Sequence, residues 1–217
     1  MKRHYLTRYI FEPAAIQALK IRDTYGWHRV VYDQYDDIRT EPGNGSSGIL
    51  WAVDKRRGNF QLTALSDRPP HRTIEAVTGA SMSTAELSES FLDPDDYAFR
   101  TVVNPVRSIK RTGDGISRLA RGVVVPVKGR DEIGKWFLRL AASHGFSIKQ
   151  DSLEIGQIIV DGFAGKAGHR VTLQKARITG ICHVEDRELF KKAVLGGIGR
   201  GKAFGCGLLQ VVPIQAV

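Results

Sequence analysis

Six histidines are the side chains of this sequence best suited to move protons near neutral pH, because the unperturbed imidazole pKa is about 6.5. They are His4, His28, His71, His144, His169 and His183. Chain position alone does not choose among them, but His28 stands in a local cluster, Tyr25-Gly-Trp-His28-Arg29. In a helix, Tyr25 and His28 would share a face because they are three residues apart. Such a histidine can act as a general acid or base.

Metal chemistry has little support in the sequence. No cluster of aspartate, glutamate and histidine at metal-ligand spacing stands out, and the two cysteines lack the spacing of a zinc site or a disulfide framework. We expect Cys182 to be buried in a strand and Cys206 to be selected for its small size. No signal-peptide run follows Met1 and no 18-residue apolar window occurs, so we expect a cytosolic protein.

A glycine-rich stretch near the C-terminus is the second candidate site. Six of the twelve residues from Gly196 to Gly207 are glycine, with Arg200 and Lys202 among them. Exposed amides and cations in such a turn suit phosphate, so we expect a large ligand here. The spacing superficially matches a nucleotide-binding P-loop, but Ala203 stands where that motif needs Ser or Thr and only fifteen residues follow Lys202.

The charge balance points in the same direction. The chain of 217 residues has 32 lysines and arginines against 23 acids, a net charge of +9, which is typical of a nucleic-acid binder. Between Arg100 and Arg130 the only acid is Asp114. The cations of that stretch are Arg100, Arg107, Lys110, Arg111, Arg118, Arg121, Lys128 and Arg130.

The apolar periodicity predicts two successive β-α-β-β-α-β units, and therefore an α+β fold of two tandem ferredoxin-like domains. The expected domains are 1–104 and 122–217, joined by 105–121 as a basic linker or strand edge. The elements expected in the first domain are strand 5–11, a helix over 14–36 broken near Gly26, a hairpin of 49–53 and 59–65, a weak helix over 83–91 and strand 97–103. Those expected in the second are strand 122–127, a helix over 130–144 capped by Gly145, strands near 155–160 and 171–184, a helix from 186 and strand 208–212.

Three motifs together resemble one known family. Gly197-Ile-Gly-Arg-Gly-Lys-Ala-Phe-Gly-Cys-Gly-Leu-Leu209 with Val212-Pro213 is similar to the C-terminal signature of CRISPR repeat-RNA endoribonucleases of the CasE type, which serve the Cascade complex. Tyr25-x-x-His28-Arg29 resembles the element that carries the catalytic histidine in some members. Asn104-Pro105 resembles a turn of the same family. The likeness extends over most of the chain.

The resemblance implies a metal-independent, cofactor-free endoribonuclease. It would bind the stem-loop of CRISPR repeat RNA and cleave precursor RNA at the 3′ base of the stem, leaving a 2′,3′-cyclic phosphate and a 5′-hydroxyl. His28 would be the general acid or base, Tyr25 would orient it or donate a hydrogen bond, and Arg29 would assist. The residues expected to contact RNA are Arg107, Lys110, Arg111, Arg118, Arg121, Lys166, His169, Arg170, Gly199, Arg200, Gly201 and Lys202. Expected partners are the RNA and Cascade subunits, with no membrane and a monomer when free.

One position departs from the family pattern. Some members place a cation five residues after the histidine, where this chain has Asp33. The cation that stabilises the transition state is therefore open, with Arg29 and Arg22 as alternatives, and Asp33 could instead orient His28. Two other functions also stay open: a non-catalytic subunit that binds an RNA hairpin, and a protein whose glycine loop binds a nucleotide or another polyanion.

Overall fold

A computed structural model describes residues 3–38, 46–109, 123–149, 151–165 and 168–214. The first unit is a four-stranded antiparallel sheet in the order β2-β3-β1-β4, with two short helices between β1 and β2. Its elements are β1 (Tyr5–Phe11), α1 (Pro13–Ala18), α2 (Thr24–Tyr32), β2 (Ile49–Arg56), β3 (Asn59–Ser66) and β4 (Ala80–Glu86).

The second unit has the same strand arrangement. Its sheet has the order β11-β5-β10-β8, and β9 also pairs with β10. Its elements are β5 (Asp96–Val103), β6 (Val106–Ile109), β7 (Val123–Pro126), α3 (Arg130–Ala142), β8 (Phe146–Ile148), β9 (Glu154–Ala164), β10 (Arg170–Val184), α4 (Arg187–Gly196) and β11 (Gln210–Pro213). In the first sheet β1 lies between β3 and β4, and in the second sheet β5 lies likewise between β10 and β11. The predicted α+β fold of tandem ferredoxin-like domains is therefore confirmed.

Two of the predicted strands belong to other sheets than the sequence pattern indicates. The strand predicted at 97–103 does not close the first sheet, because β5 pairs with β10 and β11 as the first strand of the second sheet. Its Tyr97 and Phe99 rings pack on Phe190 and Phe137 of the second unit, at centroid distances of 5.2 and 5.6 Å. We therefore place the change of unit between Glu86 and Asp96 rather than at residue 104.

The strand predicted to open the second unit has another role. Within the described residues β7 pairs only with β6, as a two-stranded ribbon that follows β5. Trp136 of α3 donates from Nε1 to the Val106 carbonyl at 3.1 Å and so attaches the ribbon to the unit. The stretch predicted as linker or strand edge thus begins with a strand, and 110–122 lie outside the described residues.

The helical predictions need smaller corrections. The predicted helix over 14–36 is broken at 19–23, several residues before Gly26, and Asp23 then caps α2 by accepting from the Gly26 amide at 2.8 Å. Gly26 itself is buried in α2, where a Cβ would lie 3.1 Å from the Ile21 Cα. The helix predicted over 83–91 is instead strand β4 followed by a short 3₁₀ turn, Glu89–Leu92. Gly145, predicted to cap the helix over 130–144, has a φ of +78°, but α3 ends at Ala142 and its C-cap residue is Ser143.

Two cores and one junction hold the units together. Successive side chains of β2 point to opposite faces of the first sheet. Trp51 faces the core of the first unit. Leu50 and Ala52 face the other side, where they join Leu65 and Leu208 in a small apolar cluster shared by both units. Next to it, Asp54 of β2 pairs with two arginines of the second sheet. The ion pairs are Asp54 Oδ2 to Arg100 at 2.7 Å and Asp54 Oδ1 to Arg177 at 2.8 Å.

Candidate active site at the junction of the two units

His28 lies where α2 meets the glycine-rich stretch of the second unit. Its ring is nearly parallel to that of Tyr25 at 5.6 Å and lies 4.3 Å from the ring of Tyr32, both on α2. Across the junction it contacts the ring of Phe204 at 5.5 Å, and Phe204 in turn contacts Phe163 of β9 at 4.9 Å. Because these contacts come from two units, the position of His28 depends on how the units join.

A backbone carbonyl determines which nitrogen of His28 carries a proton. The Nδ1 atom lies 2.8 Å from the carbonyl oxygen of Ala203. A carbonyl only accepts hydrogen bonds, so Nδ1 must be the donor. In neutral His28 the lone pair is therefore on Nε2, which has no hydrogen-bond partner among the described residues. This tautomer leaves a proton acceptor at Nε2, which a general base requires.

Three glycines near the C-terminus, Gly197, Gly205 and Gly207, pack closely on the protein itself, which gives them a reason besides the expected ligand. Gly201 and Gly205 have φ values of +85° and +76° and flank a 3₁₀ turn, Lys202–Phe204, that carries the Ala203 carbonyl. A Cβ on Gly205 would lie 2.8 Å from the Trp51 ring. Only glycine lets the turn lie this close to β2 and so reach His28.

The two cations of this loop differ in their availability. Lys202 Nζ donates to the Gly196 carbonyl at 2.7 Å, and burial lowers the pKa of this amine. Arg200 is exposed, and its backbone pairs with that of Asn104 in an isolated antiparallel bridge. The Asn104-Pro105 turn predicted from the sequence therefore supports the loop, and Arg200 is the more exposed of the two cations in the loop.

The other residues predicted near His28 point elsewhere. Arg29 is exposed and donates to the Leu19 carbonyl at 3.3 Å, toward the start of the helical segment. Asp33 is the exposed C-cap residue of α2, and the hydrogen bond that orients His28 comes from Ala203. The expectation that Asp33 orients the histidine is thus not met by the contacts of His28.

The predicted RNA-contacting residues are spread over several elements. Arg107 is exposed on the β6–β7 ribbon, and His169 and Arg170 are exposed at the β9–β10 connection. Gly199, Arg200, Gly201 and Lys202 lie in the glycine-rich stretch itself. The other predicted contacts lie outside the described residues: Lys110, Arg111, Arg118, Arg121 and Lys166. The structure brings Tyr25, His28 and the glycine loop together.

Sequence reasoning missed several residues of this site. Phe204 and the Ala203 carbonyl contact His28 directly, and Thr24, Asp161 and Lys175 form a polar network beside it. A backbone carbonyl has no signature of residue type, so Ala203 left no signal to find. Among the described residues there is no group of three or more histidine, cysteine, aspartate or glutamate side chains that could hold a metal, and no helix long and apolar enough to cross a membrane.

The fold and the junction site define a protein of two tandem ferredoxin-like units with one histidine held between them. The sequence profile of a family described as "CRISPR associated protein" matches residues 4–213, and the chain belongs to this family. The resemblance stated from the glycine loop is thereby confirmed.

Individual relatives agree with this assignment. The CRISPR-associated endoribonuclease Cse3 of Thermus thermophilus is 25% identical over 224 residues, which covers 96% of this chain and 100% of the relative. Among solved structures, Cse3 bound to a 19 nt RNA has a TM-score of 0.78 at 21% identity, covering 97% of this chain and 100% of that chain. Cas6e from Escherichia coli K-12 has a TM-score of 0.66 at 20% identity, with the same coverage of both chains.

Proposed function

We propose that this protein is a metal-independent endoribonuclease that binds the stem-loop of CRISPR repeat RNA and cleaves precursor RNA at the 3′ base of the stem. Its family membership and its similarity to an endoribonuclease over nearly the whole chain support the reaction class. The proposed products end in a 2′,3′-cyclic phosphate and a 5′-hydroxyl. No step of this reaction requires a metal or another cofactor.

The observation that carries the proposal is the hydrogen bond from His28 Nδ1 to the Ala203 carbonyl. It leaves Nε2 as the acceptor in neutral His28. Nε2 would take the proton of the 2′-hydroxyl, whose oxygen attacks the adjacent phosphorus while the bond to the 5′-oxygen breaks. The departing 5′-oxygen would take a proton from water and so become the 5′-hydroxyl. Tyr25, stacked on His28, supports the imidazole plane and could donate a hydrogen bond to the phosphate.

Arg200 is the best-placed cation for the negative charge that develops on the phosphate. It is exposed, and it precedes by three residues the carbonyl that holds His28. Lys202 donates to Gly196, and Arg29 donates to Leu19, so neither side chain is equally free. Arg200 is therefore the cation proposed for the role that the departure at Asp33 left open, with the exposed Arg22 as the alternative.

The RNA stem would be held by cations on loops around this site, which include Arg107 and Arg170. A chain with 20% identity and a TM-score of 0.66 to this protein belongs to a solved "CRISPR RNA-guided surveillance complex". We propose that this protein likewise retains its product, works as a Cascade-type subunit in the cytoplasm and is a monomer when free.

Cleavage of a labelled repeat hairpin from the same genome, in EDTA, tests the proposal. His28→Ala should lower the single-turnover rate constant roughly a hundred- to ten-thousandfold while the Kd for the same RNA stays within about threefold. The matched control is His144→Ala, because His144 Nδ1 also lies 2.8 Å from a backbone carbonyl, that of Leu140, yet at the end of α3. This control should cleave at the wild-type rate.

The outcomes separate the rival functions. If wild type and His28→Ala both bind the hairpin and neither cleaves it, the protein is a non-catalytic RNA-binding subunit. If ATP or a homopolymer competes as well as the hairpin, the glycine loop binds polyanions generally. If both proteins cleave in EDTA, His28 is not the catalyst.

A further inference from the structure

A closed polar network joins α2 to the β9–β10 hairpin. Thr24 Oγ1 donates to Asp161 Oδ2 at 2.5 Å and accepts from Lys175 Nζ at 2.8 Å, while Lys175 Nζ also pairs with Asp161 Oδ2 at 2.8 Å. The side chains of Lys175 and Asp161 are only 11% and 19% exposed. Each of the three groups therefore contacts the other two in a site largely shielded from water.

The network acts on the helix that carries His28. Thr24 is the first residue of α2, and His28 follows four residues later on the same face. The other two members lie on paired strands, with Asp161 opposite Leu173 and Lys175 opposite Ile159. The network thus attaches the first turn of α2 to one face of the hairpin, beside the contact of Phe163 with Phe204.

The charge on the network is maintained at neutral pH. Burial by itself would raise the pKa of Asp161, but hydrogen bonds from Lys175 and Thr24 outweigh it, and the pKa is lowered. The carboxylate is consequently ionised and accepts from both partners. A charged and hydrogen-bonded anchor of this kind tolerates little displacement of the helix that it holds.

We infer that Asp161 and Lys175 are positioning residues for His28, which act through Thr24 to set the orientation of α2. This inference deepens the proposed function and rests on it. A hydrogen bond such as that from His28 to Ala203 exists only within a narrow distance range, about 2.7–3.2 Å between heavy atoms. A misplacement of about 1 Å at a reacting group can cost on the order of a hundredfold in rate.

The same hairpin connects RNA binding with this anchor. Its connection carries the exposed His169 and Arg170, which are proposed to contact RNA, and its strands carry Asp161 and Lys175. The hairpin would therefore hold both the RNA and the catalytic helix. The geometry of cleavage then depends on the network, whereas RNA affinity does not.

The test compares Thr24→Val, which removes the hydroxyl at nearly constant volume, with Thr24→Ser, which keeps it. Thr24→Val and Asp161→Asn should lower the single-turnover rate constant about ten- to a hundredfold, with the Kd for the repeat hairpin within about threefold. Thr24→Ser, which keeps the hydroxyl, should retain most of the wild-type cleavage rate. Asp161→Asn leaves Lys175 buried and without its charged partner. If Asp161→Asn does not fold for this reason, Thr24→Val alone decides the outcome.

Asp54→Asn is the matched control for a general weakening of the junction. It also removes a buried carboxylate between the two units, but its partners are Arg100 and Arg177 rather than α2. We expect it to lower stability while it keeps the cleavage rate of the folded protein. The inference is overturned if Thr24→Val loses no more rate than Asp54→Asn, or loses affinity and rate equally.

A readout without RNA separates failure of this inference from failure of the proposed function. The imidazole ¹⁵N shifts of His28 in the free protein should report a proton on Nδ1 in wild type and a mixture of tautomers in Thr24→Val. An unchanged tautomer in Thr24→Val overturns the positioning role whether or not the protein cleaves RNA. A changed tautomer in Thr24→Val, found together with a wild-type protein that does not cleave, supports the positioning role and refutes the nuclease.

Discussion

Replacement of Gly205 by alanine should be among the most damaging single-methyl additions at the junction. Gly205 ends the 3₁₀ turn that carries the Ala203 carbonyl and has a φ of +76°. A Cβ there would lie 2.8 Å from the Trp51 ring, and Trp51 is only 2% exposed. The ring is part of the first core, so it has little space to move away.

Two costs add in this variant. The left-handed backbone costs alanine roughly 1–2 kcal/mol relative to glycine, and overpacking a core typically costs about 1–3 kcal/mol. The free energy of unfolding should thus fall by about 2–5 kcal/mol in total. For a chain of this length each kcal/mol lowers the Tm by about 2–4 °C.

Urea unfolding followed by circular dichroism measures this cost, with Gly58→Ala as the control. Gly58 has a φ of +92° in the turn between β2 and β3, and an added Cβ would meet nothing within 4 Å. Gly58→Ala should therefore show the backbone cost alone, about 1–2 kcal/mol. Equal losses in the two variants would refute the view that the turn is held against Trp51.

Three further predictions concern single side chains. Because the pKa of Asp161 is lowered in the folded protein, the stabilisation from its carboxylate is complete above about pH 4 and is lost as the pH falls through the lowered value. Asp161→Asn should therefore flatten the acid limb of a plot of unfolding free energy against pH. Parallel plots for wild type and variant would contradict this. Burial raises the thiol pKa of Cys182 to about 12 and of Cys206 to about 11. Ellman's reagent at pH 8 should therefore label both thiols only after unfolding. Fast labelling of the native protein would contradict this prediction. In filter binding, Arg200→Gln should reduce the slope of log affinity against log salt concentration for the hairpin by about one unit. Lys202→Gln, which loses the hydrogen bond to Gly196, should mainly lower stability in urea unfolding. The reverse pattern would contradict the assignment of Arg200 to RNA and of Lys202 to the loop.

Local patterns predicted the elements of the site well. The β2–β3 hairpin, helix α3 and the helical position of His28 all follow from periodicity and turn residues, which act over a few neighbouring positions. The strand at 97–103 was also recognised as a strand. Its alternation of buried and half-buried residues shows that one face packs on a core, but an alternating pattern does not say which sheet it joins.

What the sequence by itself determined is therefore the set of elements, the excess of positive charge and the residues His28 and Tyr25 on one helical face. Only the tertiary structure decided which groups surround them. The Ala203 carbonyl lies 175 residues from His28 along the chain, and Asp161 lies 137 residues from Thr24. These contacts form where the two sheets meet, and local periodicity contains no information about contacts between residues so far apart in the chain.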